Sequence, residues 1–540
     1  MCCGSFHFLF NSRPKRRTHF GNGSKQEFLF CSVEQRQMKC DWLFAFESAI
    51  KRHVTKVVGS KLGPIDICES DAAISFRATS MEYREKHREA KCREALQADF
   101  DAFDISEEFG FILEEPLTHL PDYYQVWMDL ANNLAHLIES HKLRDLVHKM
   151  PVLSPHHLTS HRELRLAHLA LGFITMGYVW QEGQHAPAQI LPKALAWPYW
   201  MVSRRLGLPP ILTYADSVLA NWKLKDPTGD MEIGNMDLIF CFPGGETCRG
   251  FFMVSLLVEM AASSGIAGAL EVMHAMKISD LVGIQKGLIR VTQSLKKMKE
   301  TFQLMHNHVE ATAFHGTLRI FVSGWRDNPM LPRGLLYEGV STEPIFLSGG
   351  SAAQSSAIQC FDALLCIQHE GEAGAFLTRM RDYMLPPHRQ LIETLSVCSS
   401  LRDFITARSG SDLCQAYNAC VSALVDLRNY HLNTVAKYVI VPGNKARSLG
   451  CPFRGVGTML NSTGTGGSNL MVFLKSVRNS TEKALITERS TTSREAEMNC
   501  FLQICHPVII KGQTLPFFFK AGDVSKICTK CPQMSLPVPI

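Results

Sequence analysis

In the run Asp426-Leu-Arg-Asn-Tyr-His431-Leu-Asn-Thr-Val-Ala-Lys-Tyr-Val-Ile-Val-Pro442, one imidazole stands where chemistry could be done. Leu424, Leu427, His431, Val435 and Tyr438 recur at the spacing of a single helix face, so His431 points inward among apolar groups. A buried imidazole needs a partner. A backbone carbonyl is the ordinary one. A haem iron is another, because neutral imidazole is its common proximal ligand and the macrocycle wants an apolar slot. Arg428 emerges near the same face, placed to reach an anion beside whatever the imidazole holds, such as a haem propionate.

Other residue types admit a binding reading beside a structural one. Arg319 follows Phe314-His-Gly-Thr-Leu318; a guanidinium is the natural bidentate partner of a carboxylate, and Phe314 offers an aromatic wall. A lone arginine in an amphipathic segment is more often a surface ion-pair former. Tyr214, Ser217 and Val218 share one helical face, as do Phe251, Phe252 and Ser255 on a later segment, and such stripes also serve as plain core. Gly349 and Gly350 allow close approach to a flat group, and Ser351 with Gln354 has the spacing of a capping box opening the next helix. Asp362 lies farther along that helix, either pairing with Arg428 or standing on the surface as a solvated carboxylate. Gly464-Thr465-Gly-Gly467 has neither the lysine nor the spacing of a phosphate loop, so it is read as a hinge.

These groups need elements to position them, and the periods are helical. Ser160 followed by Glu163 is a capping-box pattern, after which Leu164, Ala167, Leu171, Ile174 and Tyr178 form an apolar stripe. Between Pro209-Pro210, Gly244-Gly245, Pro386-Pro387 and Pro442-Gly443 the pattern is again helical, without strand alternation. The expectation is an all-α protein with four parts. Residues 1–102 form an extension, 103–197 a small helical domain, 198–486 a larger cofactor-holding helical domain, and 487–540 a tail. Gly250 to Leu270 is apolar enough to suggest a membrane span. Glu259 in its middle and the small residues Ala261 to Gly265 fit a helix buried between other helices instead.

Composition narrows the function classes. The first hundred residues hold 17 Lys and Arg against 12 Asp and Glu, while the rest carries 39 of each. The body therefore offers no basis for an extended nucleic-acid-binding face. The 18 cysteines are scattered through core-like segments and read as reduced thiols. The apolar piece Phe6 to Phe10 precedes the basic run Arg13 to Arg17, the reverse of a secretion signal, so a cytoplasmic protein is expected. His156, His157, His161 and His168, and separately Cys500, Cys505, Cys528 and Cys531, lack tight ligand spacing for zinc.

Ordered stretches across nearly 400 residues carry a resemblance. They are Leu-Pro-Asp-Tyr-Tyr at 120–124, Ile-Thr-Met-Gly-Tyr-Val-Trp at 174–180 and Tyr-Ala-Asp-Ser-Val-Leu-Ala-Asn-Trp at 214–222. Gly-Phe-Phe-Met-Val-Ser-Leu-Leu-Val-Glu at 250–259, Leu-Arg-Ile-Phe-Val-Ser-Gly-Trp at 318–325, Gly-Gly-Ser-Ala-Ala-Gln-Ser-Ser at 349–356 and Gly-Thr-Gly-Gly-Ser at 464–468 continue the series. From about Phe103 to Ile486 the chain resembles the indoleamine 2,3-dioxygenases, haem enzymes that open the indole ring of tryptophan.

The resemblance implies a small helical domain capping a large one, with haem b between them. It implies His431 as proximal ligand, Gly350, Ser351 and Ala352 lining the distal side, and Asp362 and Arg428 supporting the proximal side. Tyr214, Ser217, Val218, Phe251, Phe252 and Ser255 would enclose the indole, and Phe314, His315 and Arg319 would meet the substrate. Thr465 would bring a hydroxyl to the amino-acid end from a closing loop. The partners implied are L-tryptophan or a related indoleamine, O2 and an electron donor that keeps the iron ferrous, acting on a monomer without membrane or nucleic acid.

Two positions depart from the better-known member. His315 stands where it has a second phenylalanine, and Ser217 where it has a cysteine, so the chain looks more like the type-2 paralogue, with weaker tryptophan turnover. A haem-binding signalling protein is the alternative, since Leu335-Leu-Tyr337-Glu-Gly-Val340 has the loose spacing of an inhibitory phosphotyrosine motif. A tyrosine packed at a turn is the other reading of that segment. An oxygen carrier would share the proximal histidine but need no carboxylate clamp.

Overall fold

A computed structural model describes residues 93–398, 400–408, 411–448 and 469–487. Residues 1–92, Gly464 to Gly467 with Thr465, and the cysteines from Cys500 onward lie outside the described residues. The architecture is all-α. Among the described residues the strands are two-residue pieces: Ile190–Leu191 runs parallel to Leu336–Tyr337, and Lys223–Leu224 pairs antiparallel with Met236–Asp237.

Seven helices position the site: α1 (His161–Trp180), α2 (Lys193–Leu206), α3 (Gly245–Lys277), α4 (Leu281–Phe302), α5 (Ser356–Leu364), α6 (Ser411–Val435) and α7 (Leu470–Glu482). The capping box at the start of α1 forms as its spacing suggests, Ser160 Oγ accepting from the Glu163 N–H and Glu163 returning to the Ser160 N–H. From Leu164 onward α1 is buried on every side, the mark of a central helix. The division expected at 197/198 falls inside α2. Pro198 sits well within that helix, where its missing N–H removes one backbone bond without ending the helix. Gly207, at φ 70°, terminates it in the left-handed conformation.

The long apolar helix α3 packs along α4, α4 packs against α6, and α6 against α7. By length and composition α3 could cross a bilayer, yet 67% of its most apolar window is buried inside the fold. Its small residues permit close packing: a Cβ on Gly265 would lie 2.5 Å from Ser294 Oγ and 2.8 Å from the Phe361 ring. One large apolar cluster draws residues from Phe100 to Ala484, and a small separate one joins Ala373, Leu377 and Val477.

Gly250, in the first turns of α3, faces the backbone of His308 so closely that a Cβ would collide with the His308 carbonyl. This contact sets the segment carrying Phe314 against α3. Gly250→Ala is expected to lower stability by about 1–3 kcal/mol, because a carbonyl cannot rotate aside as a side chain can. The helix-propensity gain of about 1 kcal/mol does not offset it. Thermal unfolding checks this; an unchanged midpoint would refute it.

Candidate functional site

α6 carries His431 near its C-terminal end. Leu424 and Leu427 on the same face are buried, which fixes the face and leaves His431 half-buried beside the end of α4, its ring 5.8 Å from that of Phe302. Among the described residues no hydrogen bond reaches the imidazole. Burial, aided by the Arg428 charge, pushes its pKa down to about 4, so the ring is neutral at ordinary pH and keeps a lone pair to donate. Just past His431 the helix widens into a π turn, Ala436–Ile440, before continuing as Val441–Ser448. A second π turn, Phe314–Leu318, lies against the first, with Phe314 and Tyr438 rings 6.3 Å apart. Such turns recur at functional sites, and neither is visible in the spacing of apolar residues.

Arg428 is not directed at an open anion site. Its Nη2 donates to both oxygens of Asp362, at 2.8 and 2.7 Å, and its Nη1 donates to Thr481 on α7. The propionate contact read from spacing therefore gives way to a protein carboxylate 66 residues away. The surface reading of Asp362 fails too, for its side chain is only 9% exposed. His369 Nε2 completes the group, 2.9 Å from Asp362 Oδ2. Burial alone would raise the Asp362 carboxyl, but Arg428 and His369 outweigh it and hold the carboxyl below the usual range.

The sign of the pH effect follows. An acid whose pKa is lower in the folded state than its unfolded value of about 3.9 stabilises the fold fully above that value, and the contribution is lost as pH falls through the folded pKa. Asp362→Asn is expected to cost about 3–5 kcal/mol at neutral pH by leaving the Arg428 charge buried without its counter-ion. The gap from wild type should shrink below about pH 4. Urea unfolding across pH checks both; a gap independent of pH would overturn the assignment.

The Tyr214 wall is held by a buried network that the sequence reading missed. Thr213 and Asp216 form a capping box around the single turn Tyr214–Ser217. Asp216 Oδ1 lies 2.9 Å from His168 Nδ1, and His168 Nε2 lies 3.0 Å from Ser203 Oγ, all three side chains being buried. Arg165 donates to the Ala215 carbonyl at 2.9 Å. A histidine and an arginine inside the long apolar run of α1 were the signal that could have found this network.

Phe251 and Phe314 stand 4.9 Å apart, and Phe252, 5.3 Å from Phe251, continues the aromatic surface toward Phe173. Ser217 Oγ donates to the Thr213 carbonyl at 3.0 Å, and Ser255 Oγ to the Phe251 carbonyl at 2.8 Å. Both hydroxyl protons are thus taken by backbone, which leaves this wall chemically close to apolar. Val218 is buried beside them. Arg319 begins a 3-10 turn directly after the Phe314–Leu318 segment and is 4% exposed. Burial pulls its pKa down to about 10. His315 is half-buried on the same π turn.

The Gly349-Gly350 turn differs from expectation in two respects. A Cβ on Gly349 would collide with the Val322 carbonyl and the Gly324 backbone, so that glycine is needed for backbone packing. At Gly350 a Cβ would meet only ordinary contacts, Leu212 O at 3.7 Å and Ser217 Oγ at 4.0 Å, which brings Gly350 beside the Tyr214 wall. The Ser351–Gln354 capping box does not form. Gln354 Oε1 accepts from the Tyr214 N–H at 2.9 Å and its Nε2 donates to the Gly349 carbonyl at 2.9 Å, so its amide cannot return to Ser351. Ser351 caps only the short turn Ala352–Gln354, and α5 starts later, capped by Ser355.

Glu259 on α3 is the other missed residue. Fully inside the fold, its Oε1 accepts from Tyr214 OH at 3.0 Å and from Ser355 Oγ at 2.6 Å. Burial raises its pKa, against which both hydroxyls pull. Tyr337 is fully buried as well, its hydroxyl donating to the Pro210 carbonyl at 2.7 Å, so the packed-tyrosine reading of that segment is the one the fold realises.

A neutral imidazole without a hydrogen bond is a suitable donor for a group that brings its own remaining ligands. Among the described residues no cluster of three or more His, Cys, Asp or Glu gathers to hold a bare ion. On the helix face shared with the buried Leu424 and Leu427 and beside the Phe302 ring, His431 could hold the metal of a planar cofactor. The fold and this site define an all-helical protein with a buried-face imidazole free to donate. The indoleamine 2,3-dioxygenase family model matches residues 99–484. Similar proteins include indoleamine 2,3-dioxygenase 2 of Homo sapiens, 47% identical over 75% of this chain and 100% of that protein. Indoleamine 2,3-dioxygenase 1 of Rattus norvegicus is 46% identical over 74% of this chain and 99% of its own length. A protein named myoglobin from Haliotis diversicolor is 36% identical over 71% of this chain and 97% of its own length. The chain belongs to the indoleamine 2,3-dioxygenase family.

Proposed function

We propose that this chain is a haem-dependent dioxygenase that inserts both atoms of O2 across the indole C2–C3 bond of L-tryptophan, giving N-formylkynurenine. The observation that carries the reading is the charged Arg319 guanidinium buried directly after Phe314, whose ring faces Phe251. One substrate with a carboxylate at one end and a flat apolar ring at the other answers both. His431 would hold haem b, one iron per chain, and the haem supplies the oxygen chemistry when bound.

The protein's own part is binding and exclusion. Arg319 fixes the carboxylate by paired N–H donors, Phe251 and Phe314 pack on the indole, and the tied-back hydroxyls of Ser217 and Ser255 keep competing donors out of the chamber. Asp362 holds Arg428, and through it the helix that carries His431. Thr465 would add a hydroxyl at the ammonium and carboxylate end. We read residues 103–197 as a cap on the larger helical part. An electron donor keeps the iron ferrous in a cytoplasmic monomer, a setting in keeping with the free thiols of Cys241, Cys248, Cys360, Cys366, Cys414 and Cys420. With His315 bringing a polar ring to the chamber, tryptophan affinity is expected to be low.

The test is an absorption spectrum of the reduced protein with and without L-tryptophan, followed by product formation under O2. A tryptophan-dependent spectral change with N-formylkynurenine accumulating supports the proposal; full haem loading with no product removes it. The relative named myoglobin favours one second reading, an oxygen carrier. In that case reversible O2 binding proceeds without dependence on tryptophan or on Arg319.

A further inference from the structure

Three walls of the proposed substrate chamber come from distant parts of the chain, and one atom joins them. Glu259 stands on α3, on the helix that carries Phe251, Phe252 and Ser255. Its Oε1 accepts from Tyr214 OH, 3.0 Å away on the wall built by the Thr213–Asp216 turn. The same oxygen accepts from Ser355 Oγ, 2.6 Å away at the end of the Gly349–Ser355 segment. Gln354, the neighbour of Ser355, braces the same two walls a second way, taking the Tyr214 N–H on its amide oxygen and giving its amide proton to the Gly349 carbonyl. Tyr214 is therefore gripped at both ends, backbone by Gln354 and hydroxyl by Glu259.

Among the described residues the carboxyl has no ion-pair partner. Asp216 and Asp362, the comparable buried acids, sit with His168 and with Arg428 and His369. Among the described residues the groups bonded to Glu259 are the two hydroxyls alone. A buried carboxyl without a counter-ion is costly, and an apolar residue of similar size would fill the volume more cheaply. What an apolar residue could not do is accept two hydrogen bonds from two different walls. We infer that Glu259 is a positioning residue of the dioxygenase, fixing the Tyr214 ring and the Gly349–Ser355 turn relative to α3 so that the chamber keeps one width for the indole. It touches neither cofactor nor substrate and acts through Tyr214 and Ser355. This rests on the reading of the chamber as the tryptophan site.

The test uses the full-length, haem-loaded protein with Glu259→Leu and Glu259→Gln. Steady-state turnover gives kcat and KM, calorimetric titration of L-tryptophan into the ferric protein gives Kd without turnover, and thermal unfolding checks the fold. Glu259→Leu is expected to raise KM and Kd by about tenfold with kcat within about twofold, the pattern of lost binding common to ground and transition states. Glu259→Gln keeps an oxygen that accepts from both hydroxyls and is expected to stay within about threefold of wild type. Tyr214→Phe should weaken binding alone but add less than about twofold in the Glu259→Leu background, because its bond is already gone.

If Glu259→Leu does not fold, the cycle of Tyr214→Phe with Ser355→Ala decides: a non-additive effect on Kd supports the shared acceptor, and additivity overturns it. A wild-type Kd in Glu259→Leu overturns the inference, as does Glu259→Gln being as impaired as Glu259→Leu. When wild type turns over tryptophan and those results hold, only the role of Glu259 is lost. When wild type neither binds nor oxidises tryptophan, the functional reading falls and this inference with it.

Discussion

Alanine at position 431 is expected to strip the protein of its haem absorption and reduce turnover by about 100-fold or more, since an axial bond contributes more than the outer contacts worth roughly 10–100-fold at metal sites. His306, whose ring packs against Tyr430 next to His431, is occupied, its Nδ1 lying 3.0 Å from Tyr438 OH and 3.2 Å from Lys437 Nζ. His306→Ala is therefore a matched control expected to retain the cofactor spectrum. The variant at 431 should fold, because the imidazole makes no hydrogen bond among the described residues and its removal leaves no buried group without a partner. Free imidazole added to His431→Ala should restore part of the spectrum, the small ring entering the gap the side chain leaves. Normal haem retention in His431→Ala would end the assignment of this residue as the ligand, whatever the variant's activity.

The helices were legible because the cause is local. The Ser160–Glu163 box needs only two residues one turn apart, and α3 and α6 announce themselves by apolar spacing. Where tertiary partners compete for the same group, local pattern misleads. Ser351 and Gln354 have the spacing of a capping box, yet the Gln354 amide is taken by Tyr214, 140 residues away in sequence. The division placed at 197/198 falls inside α2, where Pro198 lacks one backbone N–H bond without ending the helix. The two π turns left no trace in composition, since they change backbone bonding and not which residue types are buried. The chemistry followed the same rule. His431 could be singled out from its own helix, and the Asp362–Arg428 pair stood as one of two readings of Asp362; the His168–Asp216 network and the Glu259 acceptor are long-range pairings that spacing cannot encode. For the chamber walls the sequence signal was family resemblance; helical spacing alone favoured plain core. Glu259 did leave a mark, as one charge in an apolar run, and that mark was read only as evidence against a membrane span.

Arg319→Ala separates the catalyst from the carrier and carries the second large effect. Truncating one partner of a buried, hydrogen-bonded charge pair costs about 2–5 kcal/mol, so kcat/KM for L-tryptophan is expected to fall by roughly 30- to 5,000-fold. Arg319→Lys should recover only a small part, because an ammonium is a point charge without the planar fork that meets both carboxylate oxygens. The pH dependence has a definite sign. With burial holding the guanidinium near 10, the group is charged below about pH 9, and KM should be flat there as far as Arg319 is concerned. Above pH 10 the cation is progressively lost and KM should climb. Indole derivatives lacking the carboxylate should bind wild type and Arg319→Ala alike, since the group that Arg319 holds is missing from them. Oxygen binding to the reduced protein should be the same in both. If Arg319→Ala instead leaves tryptophan turnover intact, the guanidinium is not the clamp. If wild type shows no tryptophan turnover for the substitution to remove while O2 binds reversibly, the carrier reading prevails.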